Sequence, residues 1–213
     1  MEQHTDDILA LAITNDRRTV VTGQVGSAPV LFTWDAATGE KKQRFKLTKG
    51  ARGVNAVAFS EDGSLVACSA LDNEHSVYVF DANSGALQMK SSGDTNKIFD
   101  IAFSNEPGSK DFATAGVKHF YMWNAAEGAG SKKKGLFGSY EMTSFSCVIF
   151  DDKGRAFAGG SNGSVYVFQE RNCIGKIDCH KEGFISALTW AEGFIWSGGK
   201  DGQVCKIDGD LSG

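Results

Sequence analysis

Proline is almost missing from this chain, with 2 in 213 residues, and no apolar run approaches the ~18 residues that a membrane-spanning helix needs. The start, Met1-Glu2-Gln3-His4-Thr5-Asp6-Asp7, lacks the basic and apolar regions of a secretory signal. Positive charge is not in excess either. A formal net charge of −4 gives no overall electrostatic case for nucleic acid or an anionic membrane, so neither is expected as a partner. The 5 cysteines (Cys68, Cys147, Cys173, Cys179, Cys205) are odd in number and scattered, with no C-x-x-C. That pattern argues against a disulfide framework and a zinc site, and an intracellular, cytoplasmic chain with reduced thiols is expected. Helix-sized periodic stretches are scarce as well.

What is present is glycine, 26 residues, and phenylalanine, 15, within a hydrophobic content of 41%. Many tight reversals and many aromatic core residues point to an all-β fold. One unit organises the chain. Val20 to Glu40 holds an alternating run with Thr and Gly at its end, a loop, a second run closing on Trp34-Asp35, and the turn AATG. The position of Asp35 recurs at Asp81, Asn124, Gln169 and Asp208. Before each lies a partner run rich in small residues (VVTGQV, VACSAL, FATAGV, AFAGGS, FIWSGG), and before that a further strand (ILALAIT, VNAVAFS, IFDIAFS, SCVIFD, ISALTWA).

Three alternating strands and a weaker fourth (KKQRFKL, LQMKS, GLFGSY, CIGKID) make the four-stranded blade of a β-propeller, at a period of roughly 40–45 residues. Five blades are expected, at approximately 4–47, 48–93, 94–139, 140–180 and 181–213, forming one domain. The small residues should let neighbouring blades approach, with Phe59, Phe103, Phe150 and Trp190 between them. The fifth unit ends without its fourth strand. The chain is therefore expected to be a fragment of a larger propeller, with open blade edges through which it could self-associate.

The period and the Trp34-Asp35 ending resemble WD repeats. In that family a His before the first strand, a Ser or Thr in the second, a turn Asp and the Trp of the third form a hydrogen-bonded set. The fifth unit offers His180, Ser197 and Asp201 with Ile207 in the Trp position, while the first offers His4, Thr22 and Trp34 without the Asp; Trp123 holds the Trp position of the third. A longer resemblance covers nearly the whole chain. HTDDILALAI, TGQVGSAPVLFTWD, RGVNAVAFSEDG, TAGVKHFYMWN, SKKKGLFGSYE, AGGSNGSVYVF and SGGKDGQVCKID are similar, in order and spacing, to the first propeller of the echinoderm microtubule-associated protein-like (EMAP-like) family. This resemblance implies tandem atypical propellers, tubulin or microtubule binding, and a cytoskeletal location. The coiled coil and hydrophobic motif that precede the blades in that family have no counterpart in this sequence.

Catalytic chemistry is not expected. Gly159-Gly160-Ser161-Asn162-Gly163 satisfies G-x-S-x-G, but that nucleophile motif requires a strand turning into a helix, and an alternating strand, Ser164 to Phe168, follows instead. Asn162-Gly163-Ser164 fits a glycosylation sequon of little meaning in an intracellular chain. Gly198-Gly199-Lys200-Asp201-Gly202 lacks the spacing of a phosphate loop and reads as a turn. No cofactor or metal set emerges from His4, His75, His119 and His180. Two basic clusters remain: Lys132-Lys133-Lys134, in the loop between the third and fourth strands of unit three, and Lys41, Lys42, Arg44 and Lys46 on a fourth strand. The first is the candidate contact for an acidic surface such as the tubulin tails, set against the ordinary reading of a solvated loop. The expected function is a non-enzymatic scaffold binding tubulin or microtubules; the alternative is a general WD-repeat adaptor for other proteins.

Overall fold

The computed structural model describes residues 3–210. Its strands form five antiparallel sheets, each a run of consecutive strands. The first sheet is β1 (Ile8–Ile13), β2 (Thr19–Gln24), β3 (Val30–Asp35) and β4 (Lys41–Lys46), and the second β5 (Val54–Phe59), β6 (Leu65–Ala70), β7 (Val77–Asp81) and β8 (Leu87–Ser91). The third comprises β9 (Ile98–Phe103), β10 (Asp111–Gly116), β11 (His119–Asn124) and β12 (Lys133–Lys134), with a 3-10 turn at Gly128–Ser131. The fourth is β13 (Phe145–Phe150), β14 (Arg155–Gly160), β15 (Ser164–Gln169) and β16 (Asn172–Asp178). The fifth has three strands among the described residues: β17 (Ile185–Ala191), β18 (Phe194–Gly199) and β19 (Val204–Asp208).

First strands contact one another in succession, β1 against β5, β5 against β9, β9 against β13 and β13 against β17, which makes them the inner wall of the propeller. The core is divided accordingly into four seams. Val21, Leu31 and Phe45 of the first blade meet Val54, Val66 and Tyr78 of the second. Val77, Val79 and Met89 meet Ile98, Phe112 and Trp123 at the next seam. Phe120 packs with Phe145, Phe150, Tyr166 and Phe168, and Phe157, Val165 and Val167 pack with Ile185 and Ile195. Phe103 and Phe150 are buried at these seams, while Phe59 and Trp190 are half-buried against them. The small residues of the second strands have a measurable reason. A Cβ on Gly23 would lie 2.6 Å from Cγ1 of Val54 in the next blade, and one on Gly159 would lie 2.8 Å from Cγ2 of Ile185.

Every first strand carries a bulge at its second residue, Leu9, Asn55, Phe99, Ser146 or Ser186, where the register with the second strand slips by one. Bulges re-aim side chains, and here two of them tie blades together. Asn55 Nδ2 donates to Ile98 O of the third blade at 2.7 Å, and Ser146 Oγ donates to Ile185 O of the fifth. Between the third and fourth blades the link is ionisable. Asp100, directly after the Phe99 bulge, accepts from Val148 N at 2.8 Å and from Ile101 N at 2.9 Å.

Burial raises the Asp100 carboxyl from 3.8 to about 6 despite these two amide donors. A value higher in the fold than in the unfolded chain means that the fold retains a proton the unfolded chain has lost. This contribution to stability is fully present below the unfolded value and is lost as pH rises through about 6. We predict that Asp100→Asn flattens the stability profile between about pH 4 and 7; denaturation midpoints with the same slope in variant and wild type would refute it.

One expected strand is corrected. The fourth strand of the third blade is Lys133–Lys134, not GLFGSY, so these two lysines form a strand rather than a connecting loop. Leu136 instead makes a parallel bridge with Asn172, donating to Arg171 O and accepting from Cys173 N, both at 2.8 Å. Phe137 is buried in the core shared by the third and fourth blades. The segment is therefore a strap between two blades. Its alternation is genuine, but alternation does not specify which sheet it joins.

The first and fifth blades each expose large apolar side chains. Leu11 is 67% exposed and Val204 71%, with Ile8, Leu9, Ile13 and Trp196 also exposed. No helix among the described residues is long and apolar enough to cross a membrane.

Candidate functional site

The recurring Asp is a turn-former. Asp35 Oδ1 accepts from Ala37 N and Thr38 N, both at 3.0 Å, and Asp81 Oδ1 accepts from Asn83 N and Ser84 N. Asn124 Oδ1 does the same for Ala126 N and Glu127 N. A short carboxylate or amide bonding its own backbone two and three residues on closes the turn that sends the chain to the outer strand. In the first blade Asp35 also pairs with Lys42 at 3.2 Å.

The polar set of the first blade is complete. His4 Nε2 bonds Thr22 Oγ1 at 2.6 Å, and Trp34 Nε1 donates to the same oxygen at 2.7 Å. The other ring nitrogen, His4 Nδ1, bonds Gln24 Oε1 at 2.7 Å, so Gln24 fills the place of the missing turn Asp. Sequence reading passed over Gln24. Its signal was the two-residue spacing from Thr22, which in a strand puts both side chains on one face.

In the fifth blade His180 Nδ1 bonds Asp201 Oδ1 at 2.9 Å and Nε2 bonds Ser197 Oγ at 3.0 Å. The N–H of Gln203 and then His180 hold the Asp201 carboxyl below the usual carboxylate range. The connectivity is that of a hydrolytic Ser-His-Asp triad, but Ser197 is 1% exposed and His180 5%. An acyl group has no path to the hydroxyl, and the set works as a buried strut. Ser161 is equally unlike a nucleophile at an elbow: it lies in the hairpin between β14 and β15, with Gly163 at φ +79°, and its hydroxyl bonds Thr143 Oγ1 at 2.7 Å. Among the described residues no group of three or more His, Cys, Asp or Glu side chains could hold a metal ion. Burial pushes the thiols of Cys68 and Cys147 up, which keeps them protonated and inert.

The third blade uses different groups. Trp123 Nε1 donates to Thr114 Oγ1 at 3.0 Å, but the residue four before the first strand is Asp94 where the first blade has His4. Asp94 accepts from the Tyr121 hydroxyl at 2.7 Å and lies 3.8 Å from His119 Nδ1. Burial pushes the Asp94 carboxyl up; hydrogen bonds from Asn96 N and Tyr121 and the nearby His119 and Lys132 outweigh it, leaving the group below its ordinary value. Tyr121 is raised to about 12, first by burial and then by that carboxylate. Burial lowers His119, which keeps the imidazole neutral at physiological pH.

Lys132 belongs to this cluster. Its Nζ sits 4.3 Å from the Tyr121 ring centroid and 5.5 Å from that of Trp123, and donates to the carbonyls of Ser92 and Gly93. Burial lowers its ammonium group, with Asp94 pulling the other way. The three consecutive lysines are thus divided: Lys132 is turned into the blade, and Lys133 and Lys134 are exposed on β12. Lys133 lines a cleft of about 380 Å³ between the third and fourth blades, shared with Glu106, Asp111, Glu127, Glu170 and Arg171. The other basic cluster is partly committed too, with Lys42 on Asp35 and Lys41 lying 5.2 Å from the Phe32 ring centroid.

Residues 2–213 match the family model described as "Echinoderm microtubule-associated protein first beta-propeller". Among curated proteins, the ciliary WD repeat-containing protein ctxp80 of Euplotoides octocarinatus is 46% identical over 202 residues, covering 94% of this chain and 28% of that protein. The 77 kDa echinoderm microtubule-associated protein of Strongylocentrotus purpuratus is 30% identical over 217 residues, covering 94% of this chain and 31% of its own length. The chain thus spans under a third of these relatives. Among solved structures, the WD40 repeats of RRP9 superpose with a TM-score of 0.79 at 20% identity, covering 100% of this chain and 62% of that one, a likeness of fold alone. A family match that runs the length of the chain, on a fold of five antiparallel blades, places this protein in the echinoderm microtubule-associated protein-like family, within its first propeller.

Proposed function

We propose that the chain is a non-enzymatic protein-interaction scaffold of the cytoplasmic cytoskeleton that binds tubulin or microtubules. The observation that carries this reading is the match of residues 2–213 to the first propeller of a microtubule-associated family. The polar sets of the first, third and fifth blades support it, since each is spent on holding strands together and none presents a reactive group to solvent. What the fold offers a partner is its rims and outer strands. Lys133 and Lys134 are the members of the lysine cluster placed to meet an acidic surface, while Lys132 serves the interior.

Co-sedimentation with polymerised tubulin tests the reading. Wild-type protein should pellet with the polymer, and Lys133→Glu with Lys134→Glu should lower the bound fraction severalfold, the difference shrinking as salt screens the charges. Wild-type protein that stays in the supernatant would refute tubulin binding and favour the adaptor reading. A double variant that pellets like wild type would remove these lysines from the contact.

A further inference from the structure

Lys133 shares its cleft with four carboxylates, so positive potential is diluted there. The converse holds at the junction of the first and second blades. A cleft of about 260 Å³ is lined by Thr48, Lys49, Gly50 and Arg52 from the β4–β5 connection, by Asp72, Asn73, Glu74 and Ser76 from the β6–β7 loop, and by Lys90 of β8. Lys49, Arg52 and Lys90 are all exposed. Of the two acids, Asp72 is occupied by its own loop, its Oδ1 accepting from Glu74 N at 3.1 Å and Ser76 N at 2.9 Å.

Two of the three cations are held by neighbouring side chains. Lys90 Nζ donates to Thr48 Oγ1 at 2.9 Å, and that hydroxyl bonds the hydroxyl of the fully buried Tyr78 at 2.7 Å. The Lys90 ammonium also lies 5.5 Å from the Tyr78 ring centroid. Across the cleft the Arg52 guanidinium donates from both terminal nitrogens to Asn73 Oδ1 at 3.3 Å. A neutral amide neither cancels the guanidinium charge nor occupies all of its five donors. Gly50, at φ +105° with nothing within 4 Å of where a Cβ would stand, leaves the cleft open to solvent.

We propose that this cleft docks an acidic peptide segment of a partner protein, whose carboxylates are received by Lys49, Arg52 and Lys90. The inference rests on the scaffold reading and adds a site to it. Three separate cations, with Glu74 among them at the cleft wall, suit carboxylates spaced along an extended chain better than the dense charge of a phosphodiester backbone. Electrostatic complementarity of this kind acts mainly on encounter and specificity, and it weakens with salt.

The test uses a fluorescent oligoglutamate peptide, with an oligoglutamine peptide and a single-stranded oligonucleotide as comparisons, read by anisotropy on the intact chain. Wild-type protein should bind oligoglutamate in preference to both. Lys49→Glu combined with Lys90→Glu should weaken that binding about tenfold or more, whereas Lys133→Glu with Lys134→Glu should weaken it less. Arg52→Gln, which keeps the bond to Asn73 within reach, guards against misfolding of the double variant; thermal melts identify any such loss, and Arg52→Gln should still weaken binding. Absence of oligoglutamate binding, tighter binding of the oligonucleotide, or unchanged affinity in both cleft variants would overturn the proposal. The scaffold reading fails separately: peptide binding that depends on Lys49 and Lys90, in a protein that does not pellet with polymerised tubulin, refutes the tubulin assignment and leaves the cleft standing.

Discussion

Replacing Phe168 with Ala is expected to lower the stability of the protein by about 3–5 kcal/mol, the cost of emptying a well-packed aromatic site. Phe168 is fully buried. Its ring stacks on Phe120 with centroids 3.9 Å apart, and meets Phe137 and Phe145 edge-on at 5.6 and 6.2 Å. These partners come from three different places: Phe120 from β11 of the third blade, Phe145 from β13 of the fourth, and Phe137 from the strap between them. Loss of the ring therefore opens a seam as well as a core. At ~2–4 °C per kcal/mol for a chain of this size, the melting temperature should fall on the order of 10 °C. Leu at the same position keeps part of the volume and should recover part of the loss. A melt unchanged by Phe168→Ala would show that the third and fourth blades do not depend on this cluster.

The second large effect is expected at Gly199. A Cβ there would lie within 2.5 Å of Cγ of His180, so the ring has to move. Movement breaks the bonds to Ser197 and Asp201 together. Overpacking costs roughly 1–3 kcal/mol, and leaving the buried Ser197 hydroxyl and the imidazole unpaired adds roughly 1–3 kcal/mol. Gly199→Ala should therefore destabilise by about 2–6 kcal/mol in denaturant unfolding, the sum of these two costs. Gly198→Ala is the matched control, because a Cβ there meets only Ser186 Oγ at 3.8 Å. In a His180→Ala background the clash has no target, and the cost of Gly199→Ala should shrink. Equal costs with and without the imidazole would rule out the clash as its origin.

The antiparallel strands were legible because alternation has a period of two and the turns carry their own chemistry. Asp35, Asp81 and Asn124 mark these turns in the sequence, and each spends its side chain on its own backbone. The strut of the fifth blade was legible too, since His180, Ser197 and Asp201 stand in the order that WD repeats use. Gln24 was harder to see because an amide there serves as the acceptor that a carboxylate usually supplies.

Lys132 shows where residue order stops being informative. In sequence it is one of three equal lysines, and only the packing of Tyr121, Trp123 and the 92–93 carbonyls around it sets it apart. A long amphipathic side chain can lie in water or along a buried ring with little change in local pattern. The same holds for the strap at residues 135–140, whose alternating residues leave the third blade for the fourth.

By itself the sequence determined the β-strand repeat, the turns and the small residues at the blade seams. These follow from local conformational preference and from a hydrophobic period that each segment carries alone. Tertiary structure decided which neighbours satisfy Asp94, Asp100 and His4, where the strap goes, and that Lys49, Arg52 and Lys90 face one cleft. Those outcomes depend on distances between residues far apart in the chain, which packing fixes once the blades have been stacked side by side.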